Sequence, residues 1–302
     1  RRGGKRCRRC GGAAADPVRA RPDHRIGGPR PAADRRPLAT GLVAVTVRVE
    51  VLTLFPELVE QVTKVGIPRI AAEQGSLQVV ARQLRDFSSN KLRRVDERPI
   101  GGGPGMVVQP EPLALGVAAA KAACGVDAPV LLMSPQGARF DQHWAERLSK
   151  LDSWIVVCGR YEGVDERFIE TEVDAEVSMG DFVLSGGELA VMAMIDATTR
   201  LLPGVLGDAD SAAADSFSAG HLDHPHYTKP SAWRGHEVPA VLLSGDHRAV
   251  ARWRTKQALG QTWLKRPDLL AGLALSAEHR LLLREFLAEQ DRVDSPQGGR
   301  ES

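Results

Sequence analysis

Residues 154–173 read WIVVCGRYEGVDERFIETEV. WIVVC (154–158) is a short apolar run rich in β-branched residues, which predicts a buried strand. VDERFIETEV predicts a helix. The joining segment CGRYEGVDER (158–167) carries glycine where a chain must turn sharply or approach a ligand closely. The same order of strand, glycine loop and helix recurs on both sides. PVLLM (129–133) leads through MSPQGARF (133–140) to FDQHWAERLSKL, and EVSMGDFVL leads through SMGDFVLSGGE (178–188) to ELAVMAMIDATTRLL (188–202), a helix apolar enough to be buried. Nearer the N-terminus, VRVEVLTL (47–54) and LQVVARQL (77–84) predict two more strands, with helices in ELVEQVTK, IPRIAAEQGS and 111–123. Strands alternating with helices predict an α/β domain with a mainly parallel sheet.

Around this frame the composition shifts. GGGPGM (101–106) is too glycine-rich for the interior of any element and follows a basic loop, RDFSSNKLRRVDERP. After Pro203, GVLGDADSAAADSFSAG is small, polar and flexible in character. HRAVARWRTKQALGQTW and EHRLLLREFLAEQ then predict helices. The chain is therefore divided into a disordered extension (1–46), an α/β domain (47–203), a flexible linker (204–220), a small helical domain (221–287) and a disordered polar tail (288–302).

The formal charge of +2 conceals an asymmetry: residues 1–46 hold 12 Arg/Lys and 3 Asp/Glu, leaving 28 and 35, a net of −7, in residues 47–302. Nucleic acid would have to meet the body through local basic patches. The Arg-, Pro- and Gly-rich extension is expected to be leader sequence, with Val47 as the start. Its Cys7-Arg-Arg-Cys10 lacks the second pair that a zinc site needs. Four irregularly spaced cysteines imply a reduced, cytoplasmic setting, and no run of 18 apolar residues suggests a membrane span.

SPQG occurs at 134–137 and again at 295–298. The second copy follows the last helix, with no strand to aim it. The first follows VLLM directly, and in open α/β sheets ligands bind at the carboxyl ends of strands. Three glycine loops at three strand ends predict one shared pocket. Neither G-x-G-x-x-G nor G-K-[ST] is present, and the loops carry few cations, so a phosphate-rich ligand is disfavoured. Backbone groups with Glu162 and Asp181 suit a neutral or cationic ligand bearing a heterocycle.

LTLFPE (52–57), RPIGGGPGM (98–106), SPQG (134–137), CGRYEGVDER (158–167), GDFVLSGGE (180–188), PGVLG (203–207), DSF (215–217), PHYTKP (225–230) and VPAVLLSGDH (238–247) stand in this order. Together they resemble the TrmD family of bacterial tRNA (guanine-N1)-methyltransferases, in the SPOUT superfamily, from about residue 47 to about 270. The extension and the last ~30 residues lie outside the resemblance. It implies a trefoil knot in the α/β domain, S-adenosylmethionine bound within it, tRNA as partner, the guanosine just 3′ of the anticodon as substrate, and a homodimer with sites at the subunit interface. Family members use Mg²⁺; with no metal-ligand constellation in the sequence, such an ion is expected to act through RNA or substrate charge.

The resemblance also implies roles. Guanine N1 is a poor nucleophile until its proton leaves, and charge then develops on the neighbouring oxygen. Asp215, otherwise a linker carboxylate, becomes the general base. Arg200, otherwise a cation complementing a helix C-terminus, becomes the group that steadies that oxygen or orients Asp215. Ser134, Pro135, Gly159, Tyr161, Glu162, Met179, Gly180, Asp181, Phe182, Val183, Leu184, Gly186 and Gly187 are expected around the cofactor. Glu162 could instead be a loop carboxylate paired with Arg160. Arg93, Arg94, Arg98, Arg252, Arg254 and Lys256 are expected to contact RNA, with His226 and Tyr227 at the flipped base; the alternatives are a solvated face and a buried structural pair. Two other classes compete: an RNA-binding protein of the same fold without the reaction, and a nucleotide hydrolase using GGGPGM as a phosphate loop. The latter needs a Lys where Val107 and Val108 stand.

Overall fold

The computed structural model describes residues 46–207 and 215–294. Strand β1 (Val47–Thr53) leads through α1 (Pro56–Val59), a 3₁₀ turn and α2 (Gly66–Glu73) into β2 (Leu77–Gln83). Short strands β3 (Asp96–Glu97) and β4 (Val107–Val108) pair antiparallel and bracket GGGPGM. There follow α3 (Pro110–Cys124), β5 (Val130–Arg139), α4 (Gln142–Leu148), β6 (Ser153–Cys158), α5 (Glu166–Glu172), β7 (Ala175–Ser178) and α6 (Glu188–Thr199). Beyond Asp215 come the hairpin strands β8 (Ala232–Trp233) and β9 (His236–Glu237), then α7 (Ala240–Leu243), α8 (His247–Lys265), α9 (Pro267–Ala271) and α10 (Ala277–Asp294).

The main sheet has the order β2-β1-β6-β5-β7, and all of its pairings are parallel. The mixed α/β class with a parallel sheet is thus as the sequence predicts. Strand residues alternate between faces. Val47, Val49, Val51, Trp154, Val156 and Cys158 pack with Met194 and Ile195 of α6. Leu52, Ile155, Val157, Val130 and Leu132 pack with Leu113 and Val117 of α3 and Phe168 of α5. Both faces are covered, which is why the strands read as nearly continuous apolar runs. Each fully buried Val, Leu or Ile stabilises the fold by roughly 2 kcal/mol. Two polar residues of β1, Glu50 and Thr53, are fully buried, and Glu50 is neutralised by Arg48 at 2.6 Å and by Arg82 of β2. A third cluster, Leu259, Leu270, Leu282 and Leu283, joins α8, α9 and α10.

The structure departs from the sequence reading at several places. SPQG is not a loop after the strand. β5 continues through it to Arg139, and Met133 and Ala138 both face Val177 of β7 across a bulge. Pro135 cannot donate to a ladder, and Ser134 Oγ takes the Gln136 N–H at 3.2 Å, so the intervening residues loop out before pairing resumes. ELVEQVTK is one short α-turn followed by a 3₁₀ turn, Glu60–Lys64. The region from 221 is not all helical: the hairpin turns at Arg234 (φ 52°) and Gly235 (φ 82°), the positive-φ pair that a two-residue hairpin needs. α10 runs to Asp294, past the boundary placed at 287, because LAEQDRVD holds no Gly or Pro to stop it. The Cys7–Cys10 pair, linker residues 208–214 and the second SPQG lie outside the described residues.

Candidate active site

The carboxyl ends of β5, β6 and β7 open on one cavity of about 340 Å³. Missing Cβ atoms make it possible. A Cβ on Gly187 would stand 2.8 Å from Met133 Cβ and 2.9 Å from Cys158 Cα; one on Gly137 would stand 2.3 Å from the Glu176 carbonyl carbon and the Val177 nitrogen. The first contact brings the start of α6 onto the ends of β5 and β6. The second lays the SPQG bulge on the β7 backbone. The second and third glycine loops are joined by the Gly187 N–H to Gly159 carbonyl bond at 3.1 Å and a bridge between Arg160 and Gly186. The GGGPGM loop and the strand after it brace the second glycine loop: the Glu162 N–H donates to Met106 O at 3.0 Å and the Val108 N–H to Gly163 O at 2.9 Å. Helix α3 begins only after strand β4, so these glycines do not open a helix as a phosphate loop would.

Of the residues expected around a cofactor, Ser134, Pro135, Gly159, Tyr161, Glu162, Met179, Phe182, Val183, Leu184, Gly186 and Gly187 line this cavity. Gly180 and Asp181 do not. Gly180 forms the turn (φ 142°) whose carbonyl accepts the Phe182 N–H, and the exposed Asp181 pairs with Arg139 at 3.2 Å. Both sit in the same motif as true lining residues, so motif membership alone could not separate them.

Arg160, Glu166 and Glu176 line the cavity unanticipated. Arg160 pairs with the buried Glu188 at 3.0 Å rather than with Glu162, and lies over the Phe55 ring at 4.2 Å. Glu188 also accepts from Thr53 Oγ1 at 2.7 Å. LTLFPE, GRYEG and GGE are thereby fastened to one another. With Arg160 neutralised by Glu188, three carboxylates (Glu162, Glu166 and Glu176) remain, and Glu176 Oε2 is buried without a hydrogen-bond partner. Such a buried acceptor is met by water, an ion or the donor of a ligand. The walls are apolar at Leu132, Met133, Met179, Phe182, Val183 and Leu184. This site suits a neutral or cationic ligand with an apolar body. Cys158, behind the wall, is no nucleophile: burial pushes its thiol well above the usual range.

Arg200 caps the C-terminus of α6, and its guanidinium donates to the Asp215 carboxylate. Both are part-exposed, and neither lines the cavity of its own chain. Arg94 and Arg98 are exposed, while Arg93 pairs with Asp86. On α8, Arg252 and Lys256 are tied to Glu285 (2.7 Å) and Glu289 (2.6 Å) of α10, a helix pairing that sequence alone does not register. Arg254 instead lines a second cavity of about 950 Å³ with His224, His226, Tyr227 and Trp253. Tyr227 is exposed, and its ring lies 6.2 Å from that of Trp253.

The sheet is parallel, its strand-end cavity suits a neutral or cationic ligand with an apolar body, and the part beyond Asp215 carries aromatic and basic side chains around a second cavity; the proteins this chain is similar to are tRNA-modifying transferases. Residues 47–272 match the family model described as tRNA (Guanine-1)-methyltransferase TrmD. A tRNA (guanine-N(1)-)-methyltransferase of Halorhodospira halophila is 56% identical over 242 residues, covering 80% of this chain and 92% of that protein. One from Idiomarina loihiensis is 51% identical over 243 residues, covering 80% and 96%. The crystal structure of tRNA (m1G37) methyltransferase from Aquifex aeolicus superposes with a TM-score of 0.61 at 38% identity, covering 75% of this chain and 95% of that one. The chain belongs to the TrmD family.

Proposed function

We infer that this protein transfers a methyl group from S-adenosylmethionine to N1 of the tRNA guanosine immediately 3′ of the anticodon. The observation that carries the reading is the cavity at three strand ends, with its apolar walls, its close backbone approaches and an unpartnered carboxylate, in a chain of this family.

The cavity fits S-adenosylmethionine, which when bound supplies a methyl group activated on a positively charged sulfur. Met179, Phe182, Val183 and Leu184 would flank its heterocycle, with backbone groups of 179–184 reading the edge. Gly159, Gly186 and Gly187 would admit the ribose, and Glu162 and Glu176 would meet its cationic end. This chain's residues must then prepare the nucleophile. Asp215 takes the N1 proton of guanine, and Arg200, already bonded to it, holds the carboxylate in place and faces the negative charge that grows on the guanine oxygen. Because Arg200 and Asp215 do not line the cavity of their own chain, the reading includes a homodimer in which one subunit's pair serves its partner's cavity. Exposed Phe182, Val183, Leu184 and Leu189 supply apolar surface for that interface.

For tRNA, Arg94, Arg98 and Arg254 carry the contacts, with His226 and Tyr227 beside the displaced base. Arg252 and Lys256 serve chiefly to hold α8 on α10. Mg²⁺ acts through RNA and substrate charge. The setting is cytoplasmic, where tRNA is found; among the described residues no helix is long and apolar enough to cross a membrane.

The test is methyl transfer from labelled S-adenosylmethionine to a tRNA transcript, with the modified base mapped by nuclease digestion and mass spectrometry. One labelled 1-methylguanosine at the anticodon-adjacent position, lost when that guanosine is replaced by adenosine, is expected. Tight tRNA binding with no transfer would replace the reading by that of a non-catalytic RNA-binding protein.

A further inference from the structure

We propose that Asp223, His224 and His226 form a binding site for a divalent transition-metal ion, and that zinc is the ion their chemistry suits. The sequence HLDHPHY spells a His-x-His pair, a spacing too short to specify a site by itself. In the fold, however, one ligand atom from each of the three residues lies within 4.8 Å of the others. His226 Nε2 stands 2.9 Å from Asp223 Oδ2, His224 Nε2 stands 3.8 Å from Asp223 Oδ1, and the two imidazole rings are 4.5 Å apart.

Four further contacts prepare the set. His224 Nδ1 lies 3.1 Å from the Pro225 carbonyl. A proton on Nδ1 satisfies that carbonyl and leaves the Nε2 lone pair toward Asp223, the arrangement by which metal-ligating histidines have their tautomer fixed. Asp223 is held from two sides: its carboxylate accepts the His224 N–H at 2.6 Å, and its own N–H donates to Ser216 Oγ at 2.9 Å. Trp253 packs against His224, with ring centroids 6.2 Å apart, and limits that ring's motion. His226 is exposed and held by its bond to Asp223, the contact that an entering ion would replace. Metal–ligand bonds of about 2.0–2.2 Å bring neighbouring ligand atoms to roughly 3.5 Å, so a small rotation of His226 completes the set.

Two imidazole nitrogens and one carboxylate oxygen select zinc and its first-row neighbours over Mg²⁺ or Ca²⁺, which prefer sets made of oxygen alone. Three protein ligands leave a coordination position open. His224 and His226 both line the 950 Å³ cavity, so that position would face its interior. None of the three residues lines the strand-end cavity; His226, proposed to stand beside the displaced base, would be shared between the metal site and the substrate. Through Ser216 an occupied site would also tether the segment that begins with Asp215.

The experiment uses the untagged full chain carrying Cys7→Ser and Cys10→Ser, which removes thiolates that could bind the same ions. After chelator stripping, Zn²⁺ is titrated against a chromophoric chelator, and Co²⁺ is added separately as a spectroscopic probe. One ion per chain is expected, with a Co²⁺ visible spectrum of low coordination number. His224→Gln should weaken binding about 100-fold, at least the loss that removing an outer-shell partner causes, with far-ultraviolet circular dichroism unchanged. His226→Asn gives the same reading by a second route. No binding, an octahedral Co²⁺ spectrum, or an affinity unmoved in both variants would overturn the proposal.

Discussion

Gly187 shows how much of this site depends on single atoms. Its φ is ordinary; it is glycine because Met133 and Cys158 occupy the space a side chain would take. Gly187→Ala should push the start of α6 off the ends of β5 and β6, costing about 1–3 kcal/mol of stability. The cavity should widen, and S-adenosylmethionine affinity, measured by calorimetry, should fall at least tenfold, about 1.4 kcal/mol. Glu188 is the opposite case, a side chain that cannot be spared. Glu188→Gln leaves the Arg160 guanidinium without its charge partner and should cost about 3 kcal/mol in denaturant unfolding. Neither residue stood out in sequence for its true reason. Along the chain Arg160 reads only as a partner for the nearby Glu162; its true partner Glu188 is 28 residues away, and their pairing exists only after the sheet has brought two strand ends side by side. The glycines were legible as a group because three loops repeated one pattern, whereas Gly180 and Asp181, spelled in the same motif, turn away from the cavity.

Secondary elements explain why some basic residues serve the fold and others the surface. Arg252, Arg254 and Lys256 look alike along the chain. Helical geometry puts residues four apart on one face, so Arg252 and Lys256 meet Glu285 and Glu289 of α10 together, while Arg254 faces the second cavity. Arg254→Ala should weaken tRNA binding and reduce the slope of log K against log salt by about 1. Arg252→Ala should leave that slope and the denaturant midpoint nearly unchanged, because an exposed pair contributes little. The start of α8 is set by Asp246, whose carboxylate accepts the N–H groups of both Arg248 and Ala249. Asp246→Ala should destabilise the protein by about 1 kcal/mol. The strand and helix pattern of the α/β part could be read from apolar periodicity. The bulge in β5 could not, because its residues pair only through a neighbour, β7, reached 40 residues later in the chain.

At the scale of the whole molecule, the cavity and the Arg200–Asp215 pair are separate parts of one chain. Apolar side chains at the rim of the cavity, Phe182 and Val183 among them, and Leu189 nearby on α6 remain exposed. The proposed homodimer would reconcile these features by letting each subunit complete its partner's site. Sedimentation velocity should therefore report a dimer, and Leu189→Asp should yield monomer that retains its far-ultraviolet spectrum and loses methyl transfer. Nothing in a single chain's periodicity announces such an arrangement, because the residues that would cooperate need not touch within one copy.

In the proposed mechanism the strand-end cavity holds the methyl donor while Asp215, outside it, prepares the guanine. Single-turnover methyl transfer by Asp215→Asn, measured beside S-adenosylmethionine affinity in the same preparation, tests it most directly. The account predicts a chemical rate reduced by roughly 10²–10⁴-fold with donor affinity unchanged. A rate equal to that of the native chain would contradict the assignment of the base, and a lost donor affinity would contradict the separation of the two parts of the site.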